Sequence, residues 1–273
     1  MLTVTYMKKI LSISLILILI TAIFGGCKKD KGDPPVLPPA ESMTIDFSNF
    51  QLQKKGDVKG TENSAWEFAA TVAGVWRVVI NTTLIVPVTT FQLAAKQTPV
   101  YLSKNNWQWS YNSTVAGSTY KARLTGEIRP SEVAWKMYIT KEGTGAFAEF
   151  LWFEGTSKLD GTGGQWILNQ SSTVPSPILQ IDWTKTASTI GKITYTYVKN
   201  GDALKTSYIE YGLTNSTLNA YYKVHYYNGA KFSDVDVEWN TTLKNGRVKS
   251  VDYFIGDTNW HCWDANKVNV SCP

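Results

Sequence analysis

From Tyr101 to the C-terminus the sequence repeats one pattern: short runs of alternating apolar and polar residues, separated by turn residues. Trp107, Trp109 and Tyr111 alternate with Gln108, Ser110 and Asn112. Tyr120, Ala122 and Leu124 alternate with Lys121, Arg123 and Thr125, and Val133, Trp135, Met137 and Ile139 with Ala134, Lys136 and Tyr138. A period of two places each set on its own face of a β-strand. AFAEFLWFE, QWILN, ILQIDW, KITYTYV, TSYIEYGL, YYKVHYY, VDVEWN and VKSVDYF continue the series. Turns are marked by Arg129-Pro130, Gly143 and Gly145, Gly161 to Gly164, Asn200-Gly201, Asn228-Gly229 and Asn245-Gly246. Asn-Gly suits the tight hairpin turn whose twist matches the strands it joins. The spacing, roughly one strand per 12 residues, predicts a mainly β chain: an antiparallel meander of about 11–12 strands. So long a meander curls, and its edges must be closed or covered, so a barrel or half-barrel is expected. In AFAEFLWF both parities are apolar, which predicts burial on both faces.

Residues 42–273 read as one β-rich domain. SMTIDFSNFQL (residues 42–52) places Met43, Ile45 and Phe47 on one parity, as in a first strand, and residues 53–63 read as a loop. Helical spacing is confined to residues 64–97. Ser64 and Glu67 spell a capping box. Trp66, Ala69, Ala70, Ala73, Val75 and Trp76, continued by Val79 and Ile80, recur mostly at intervals of three and four, as for one apolar helix face. Pro87 suits the first turn of a second helix, with Phe91, Ala94 and Ala95 on its face. A helical hairpin covering the sheet is expected.

The N-terminus carries a different signal. Lys8 and Lys9 precede an apolar run from Ile10 to Phe24, about 15 residues, the length of a signal-peptide core and short for a membrane span. Gly25-Gly26-Cys27 closes it, with Phe24 where leucine is usual. This resembles the lipobox of bacterial lipoproteins, of the Bacteroidota type. The resemblance implies cleavage after residue 26, acylation of Cys27, and attachment to the outer membrane of a Gram-negative bacterium, on either the periplasmic or the cell-surface face. Met7 is then the expected start. Loss of Lys8 and Lys9 with the leader takes the net charge from +5 to +3. Residues 27–41, with four prolines, read as a tether. Lys28-Lys29-Asp30-Lys31 matches a surface-export signal in part. An oxidising compartment leaves Cys262 and Cys272 as the two remaining cysteines, an expected disulfide closing a small loop.

Composition excludes several functions. A net charge of +5 is too weak and too dispersed for nucleic acid. With two His, and three Cys already assigned, no zinc site of the usual kinds is expected. Lys121, Arg123, Lys136, Asp234, Asp236 and Glu238 interrupt any lipid-facing band, so a membrane-spanning barrel is not expected. No G-x-S-x-G motif accompanies His225 or His261, and Asp160-Gly161-Thr162-Gly163-Gly164 lacks the lysine and helix of a phosphate loop. Asp234, Asp236 and Glu238, with Asp252 across the hairpin and Lys249 beside them, read as a solvated charged face. No catalytic residue, cofactor or metal site is expected, and protein partners are not legible.

Glu149 shares a parity with Phe147, Leu151 and Phe153, where a carboxylate could orient a ligand headgroup. Trp107, Trp109 and Trp152 are the candidate aromatic lining. The order of elements is similar to the LolA/LolB-type carriers, half-barrel lipoproteins with covering helices; no motif carries a residue over from them. The expected function is non-enzymatic binding of a lipid or other apolar or amphipathic ligand in the sheet concavity. The alternative is an envelope or cell-surface interaction protein that contacts protein or glycan through its outer face.

Overall fold

The computed structural model describes residues 32–51, 64–186 and 189–273. The leader, the lipidation candidate Cys27, the first part of the tether and the loop at 53–63 lie outside the described residues.

Among the described residues, fourteen strands form one antiparallel sheet in strict sequence order. They are β1 (Val100–Ser103), β2 (Asn106–Val115), β3 (Ser118–Ile128), β4 (Glu132–Lys141), β5 (Phe147–Lys158), β6 (Gly163–Asn169) and β7 (Pro177–Thr186). There follow β8 (Thr189–Tyr197), β9 (Tyr208–Leu213), β10 (Ala220–Tyr227), β11 (Phe232–Trp239), β12 (Gly246–Lys249), β13 (His261–Trp263) and β14 (Asn269–Val270). The alternating segments from Trp107 to Trp239 become β2 to β11; of the expected strand VKSVDYF only Val248 and Lys249 join β12, and residues 251–256 form a turn instead, while the short β1, β13 and β14 lie outside the pattern. β1 and β14 are the two edges and do not pair, so the sheet is not a closed barrel.

The expected helical hairpin is instead one helix, α1 (Ser64–Ala94), with Pro87 inside it. A proline there removes one backbone bond and clashes with the preceding turn. Packing outweighs that cost, because the buried stripe Ala73, Trp76, Ile80, Leu84, Pro87, Phe91 and Ala94 keeps its phase through the proline. The N-terminus is tied down by a distant residue: Asn269 Oδ1 accepts from the Ala65 backbone N–H at 3.2 Å, and its amide donates to Ser64 Oγ at 3.0 Å.

The expected first strand is also corrected. Residues 40–50 form two 3-10 turns, Ala40–Met43 and Ser48–Phe50, and do not join the sheet. The apolar alternation was a true burial signal all the same. Met43, Ile45, Phe47 and Phe50 are all buried, but against side chains of the sheet and not within it. Packing starts before them, since Pro35 and Pro38 are buried too, which shortens the expected tether. Trp166 Nε1 donates to Ser42 Oγ at 3.1 Å, Tyr222 Oη donates to the Asp46 carbonyl, and Lys244 Nζ donates to Asn49 Oδ1 at 2.5 Å. The segment thus crosses the sheet from β6 towards β12. Helix α1 returns in the opposite direction, from β12–β14 to β2–β3.

The inner face has its own order. Cross-strand partners form the row Trp107, Gly126, Trp135, Gly155, Trp166, Ile181, Tyr195, Ile209, Val224 and Val235. Tryptophan and glycine alternate over its first five positions. A Cβ on Gly155 would lie 2.0 Å from the Gln165 carbonyl oxygen and 2.6 Å from the Trp166 ring. Two further pairs, Gly164 with Trp183 and Gly246 with Trp263, repeat the arrangement. Each indole lies over a neighbour with no side chain, which lets large rings crowd the inner face of the sheet.

Candidate functional site

The inner face, where a ligand cavity was expected, is packed with the chain's own residues. Phe50 meets four rings there: Trp66 at 6.5 Å, Tyr222 at 5.5 Å, Trp239 at 4.9 Å and Trp263 at 6.1 Å between centroids. Farther along, Phe91 of α1 packs edge-on against Phe153 and Trp166. Some polar groups in this core are satisfied. Trp135 Nε1 donates to Ser157 Oγ at 2.8 Å, and Tyr111 Oη donates to the Thr90 carbonyl at 2.7 Å. Others are not: Trp183 Nε1, Trp239 Nε1 and Tyr195 Oη are buried without a hydrogen-bond partner. Burial pushes the Tyr195 and Tyr222 phenols well above their ordinary pKa.

The residues singled out from the sequence separate on this frame. Trp109 is a core residue against Trp135, at 5.8 Å, and Trp107 is buried beside Tyr101, at 5.2 Å. Trp152 is half-buried with Phe147 and Phe150, at 6.0 and 5.8 Å. Neither the cluster of three nor Trp107 and Trp109 enclose a cavity with Glu149. Glu149 lies on the outer face, half exposed, and accepts two bonds of 2.7 Å from the Arg123 guanidinium. That pairing holds its carboxyl below the usual range. Strand β5 explains the misplacement: its register against β4 shifts between Met137 and Tyr138, and again between Ile139 and Lys141. Each bulge inserts a residue and flips the inward parity. The doubly apolar look of AFAEFLWF comes from this flip, and Ala148 and Glu149 are exposed.

The outer face is a ladder of cross-strand ion pairs. Lys121–Glu142 (2.6 Å), Lys192–Glu210 (3.5 Å), Arg247–Glu238 (2.6 Å) and Lys249–Asp236 (3.6 Å) join Arg123–Glu149 on it. His225 pairs with Asp234 at 2.7 Å and lies flat on Phe232, at 4.6 Å. His261 stacks on Phe254 at 3.6 Å and faces Asp257. Among the described residues neither histidine is hydrogen-bonded to a Ser, Thr or Cys side chain. Asp160 accepts from the Thr162 backbone and hydroxyl, as in a tight turn. No group of three or more His, Cys, Asp and Glu suited to a metal occurs among the described residues. Cys262 and Cys272 form a disulfide, with 5.2 Å between Cα atoms.

The side of α1 away from the sheet is one of the exposed apolar surfaces, and Val75 and Val79, expected on the packed face, lie exposed instead. Val75 and Val78 are about 60% exposed and Ile85 is 53% exposed. Beside this stripe a groove of about 410 Å³ runs between α1 and the 43–47 segment, lined by Met43, Phe47, Leu84, Ile85 and Val88. The sequence held the signal for this surface. Thr71, Val75, Val78, Thr82 and Ile85 form a second periodic stripe, opposite the one that packs on the sheet. No protein-family model matches the chain, and neither curated proteins nor solved structures yield a match.

Proposed function

We propose that this chain is a lipid-anchored, non-enzymatic interaction protein of the bacterial envelope, and that it engages its partner through the exposed face of α1. The carrying observation is that the inner face is already filled by residues 35–50 and α1, while α1 turns an uncharged β-branched stripe to solvent. A charged outer face supports a body that stays in water, since placing such charges in lipid is costly. The half-barrel form belongs to this reading. Ala65 is tied to β14 and Thr90 to β2, about 38 Å apart along the helix, whereas the 12 strand spacings between β2 and β14 amount to about 58 Å of sheet. A sheet bent through about half a circle reconciles the two lengths.

Anchoring is tested by mass spectrometry of the mature N-terminus: an acylated peptide that begins at Cys27 is expected, and an unmodified Cys27 overturns the lipoprotein assignment. For the interaction surface, a photo-crosslinking residue is placed at Val78, and at Lys136 on the outer face as control. Adducts specific to position 78 are expected. Equal labelling from both positions sinks the proposed surface.

A second reading has its own observation. The unpartnered donors on Trp183, Trp239 and Tyr195 would suit the polar part of an amphipathic ligand if the covering segment moved aside. Mass spectrometry of an organic extract of the purified protein distinguishes it: a stoichiometric lipid supports a carrier, and a clean blank leaves the interaction protein.

A further inference from the structure

The exposed stripe on α1 has a period that limits what can cover it. Thr71, Val75, Val78, Thr82, Ile85, Thr89 and Gln92 follow at intervals of four and three, a heptad seam about 32 Å long. Strict 3.5-residue spacing is the pattern of a helix that packs on another helix. The stripe also fits itself in reverse. Laid antiparallel about a two-fold axis near Ile80, Val75 meets the second copy's Ile85, Val78 meets the second copy's Thr82, and Thr71 meets the second copy's Thr89. Every knob then faces a position of the other heptad class, as an antiparallel pair requires.

Charge selects the same arrangement. Arg77 is the single charged residue between Thr71 and Gln92. A parallel pair would set Arg77 beside its own copy. The antiparallel pair moves the two guanidinium groups about 9 Å apart along the axis and puts each opposite Thr83. A membrane surface is a poorer fit. The stripe has no Trp, Phe or Leu to insert and one cation to meet anionic lipid, whereas interfacial helices are rich in both kinds of residue.

We infer that a second copy of this chain is the partner of α1, in an antiparallel, two-fold symmetric helix pair centred near Ile80. The inference rests on the proposed use of α1 as the contact surface. One helix face about 32 Å long and about 10 Å wide is small beside a standard interface, so the pair depends on co-anchoring on one membrane to raise the effective concentration.

The test uses two differently tagged full-length chains, co-expressed and oxidised in intact cells. V78C with T82C, and V75C with I85C, are the matched pairs; V75C alone is the reporter of a parallel pair. Disulfide geometry admits only Cα atoms within about 7 Å, so mixed-tag dimers from the matched pairs are expected at least about fivefold above V75C alone. No mixed dimer from either matched pair, or a V75C homodimer of equal yield, overturns the inference. The crosslinker at position 78 then separates the outcomes. An adduct with a different protein refutes the second copy and keeps the proposed surface. Protection of V78C from a water-soluble maleimide by lipid vesicles, with no adduct to protein, assigns the face to the membrane and refutes both.

Discussion

Glycines on the inner face show how closely single residues are constrained. Gly155→Ala would drive a Cβ against the backbone of β6, where no side chain can give way. We expect it to destabilise the fold by about 3 kcal/mol in chemical denaturation. Gly126→Ala meets only the Trp135 ring and Pro35, so a smaller loss, about 1–2 kcal/mol, is expected. Equal effects at the two sites would contradict the packing described. The tyrosines set an alkaline limit. Burial raises Tyr197, beside Asp202, and Tyr211 to about 12, above the ordinary phenol range. The folded state therefore keeps protons that the unfolded chain releases. Stability is full below pH 10 and falls as pH rises from 10 through about 12, which a denaturation series over that range measures. A flat profile there would mean that these phenols are solvated. Ion pairs such as Arg123–Glu149 are half exposed, and removing one costs less than about 1 kcal/mol.

At the scale of elements, α1 carries the clearest conflict between local and tertiary preference. Pro87 costs a helix interior about 3 kcal/mol, yet the helix continues because its buried stripe has somewhere to pack on both sides of the proline. Pro87→Ala restores a donor for the Thr83 carbonyl and leaves only a small cavity. A gain of about 1–2 kcal/mol in stability is expected by denaturant titration. A loss would show that the proline ring contributes more to the core than the missing bond takes away. The same reasoning accounts for residues 42–50. Their alternation read as a strand because period two reports burial of alternate residues, and a covering segment with 3-10 turns buries alternate residues as well as a strand does. Strand β5 is the reverse case: its bulges moved Glu149 outward, and a bulge leaves no mark in an unaligned sequence.

For the whole molecule, the covering segment is a structural part of the domain. Phe50 alone touches four aromatic rings from α1, β10, β11 and β13. A chain begun at Gln51 would expose Trp166, Tyr222 and Trp239 to water. We expect it to aggregate or to lose cooperative unfolding, whereas a chain begun at Gly32 unfolds as one unit in calorimetry. Cooperative folding of the shorter chain would show that the segment is a detachable cover, as a carrier would need. The disulfide acts at the opposite terminus. Closing a loop over a sequence separation of 10 stabilises by about 3 kcal/mol in the chain-entropy model, so reduction lowers the melting temperature.

The sequence by itself determined the strands from β2 to β11, their antiparallel succession, the pairing of Cys262 with Cys272 and the charged outer face. These follow from period-two alternation, turn residues and cysteine count, all of which are local. It also contained both stripes of α1, although only one was needed to recognise a helix. What the tertiary structure decided is everything that depends on residues distant in the chain. It joined two expected helices into one, because packing on the sheet outweighs a proline. It held the sheet open, with α1 tied to β2 at one end and β14 at the other. It covered the inner face with residues 35–50, which pack against the large rings that lie over glycine partners. That cover occupies the face where a cavity was expected, and the side of α1 that the sheet does not reach stays exposed at Val75, Val78 and Ile85.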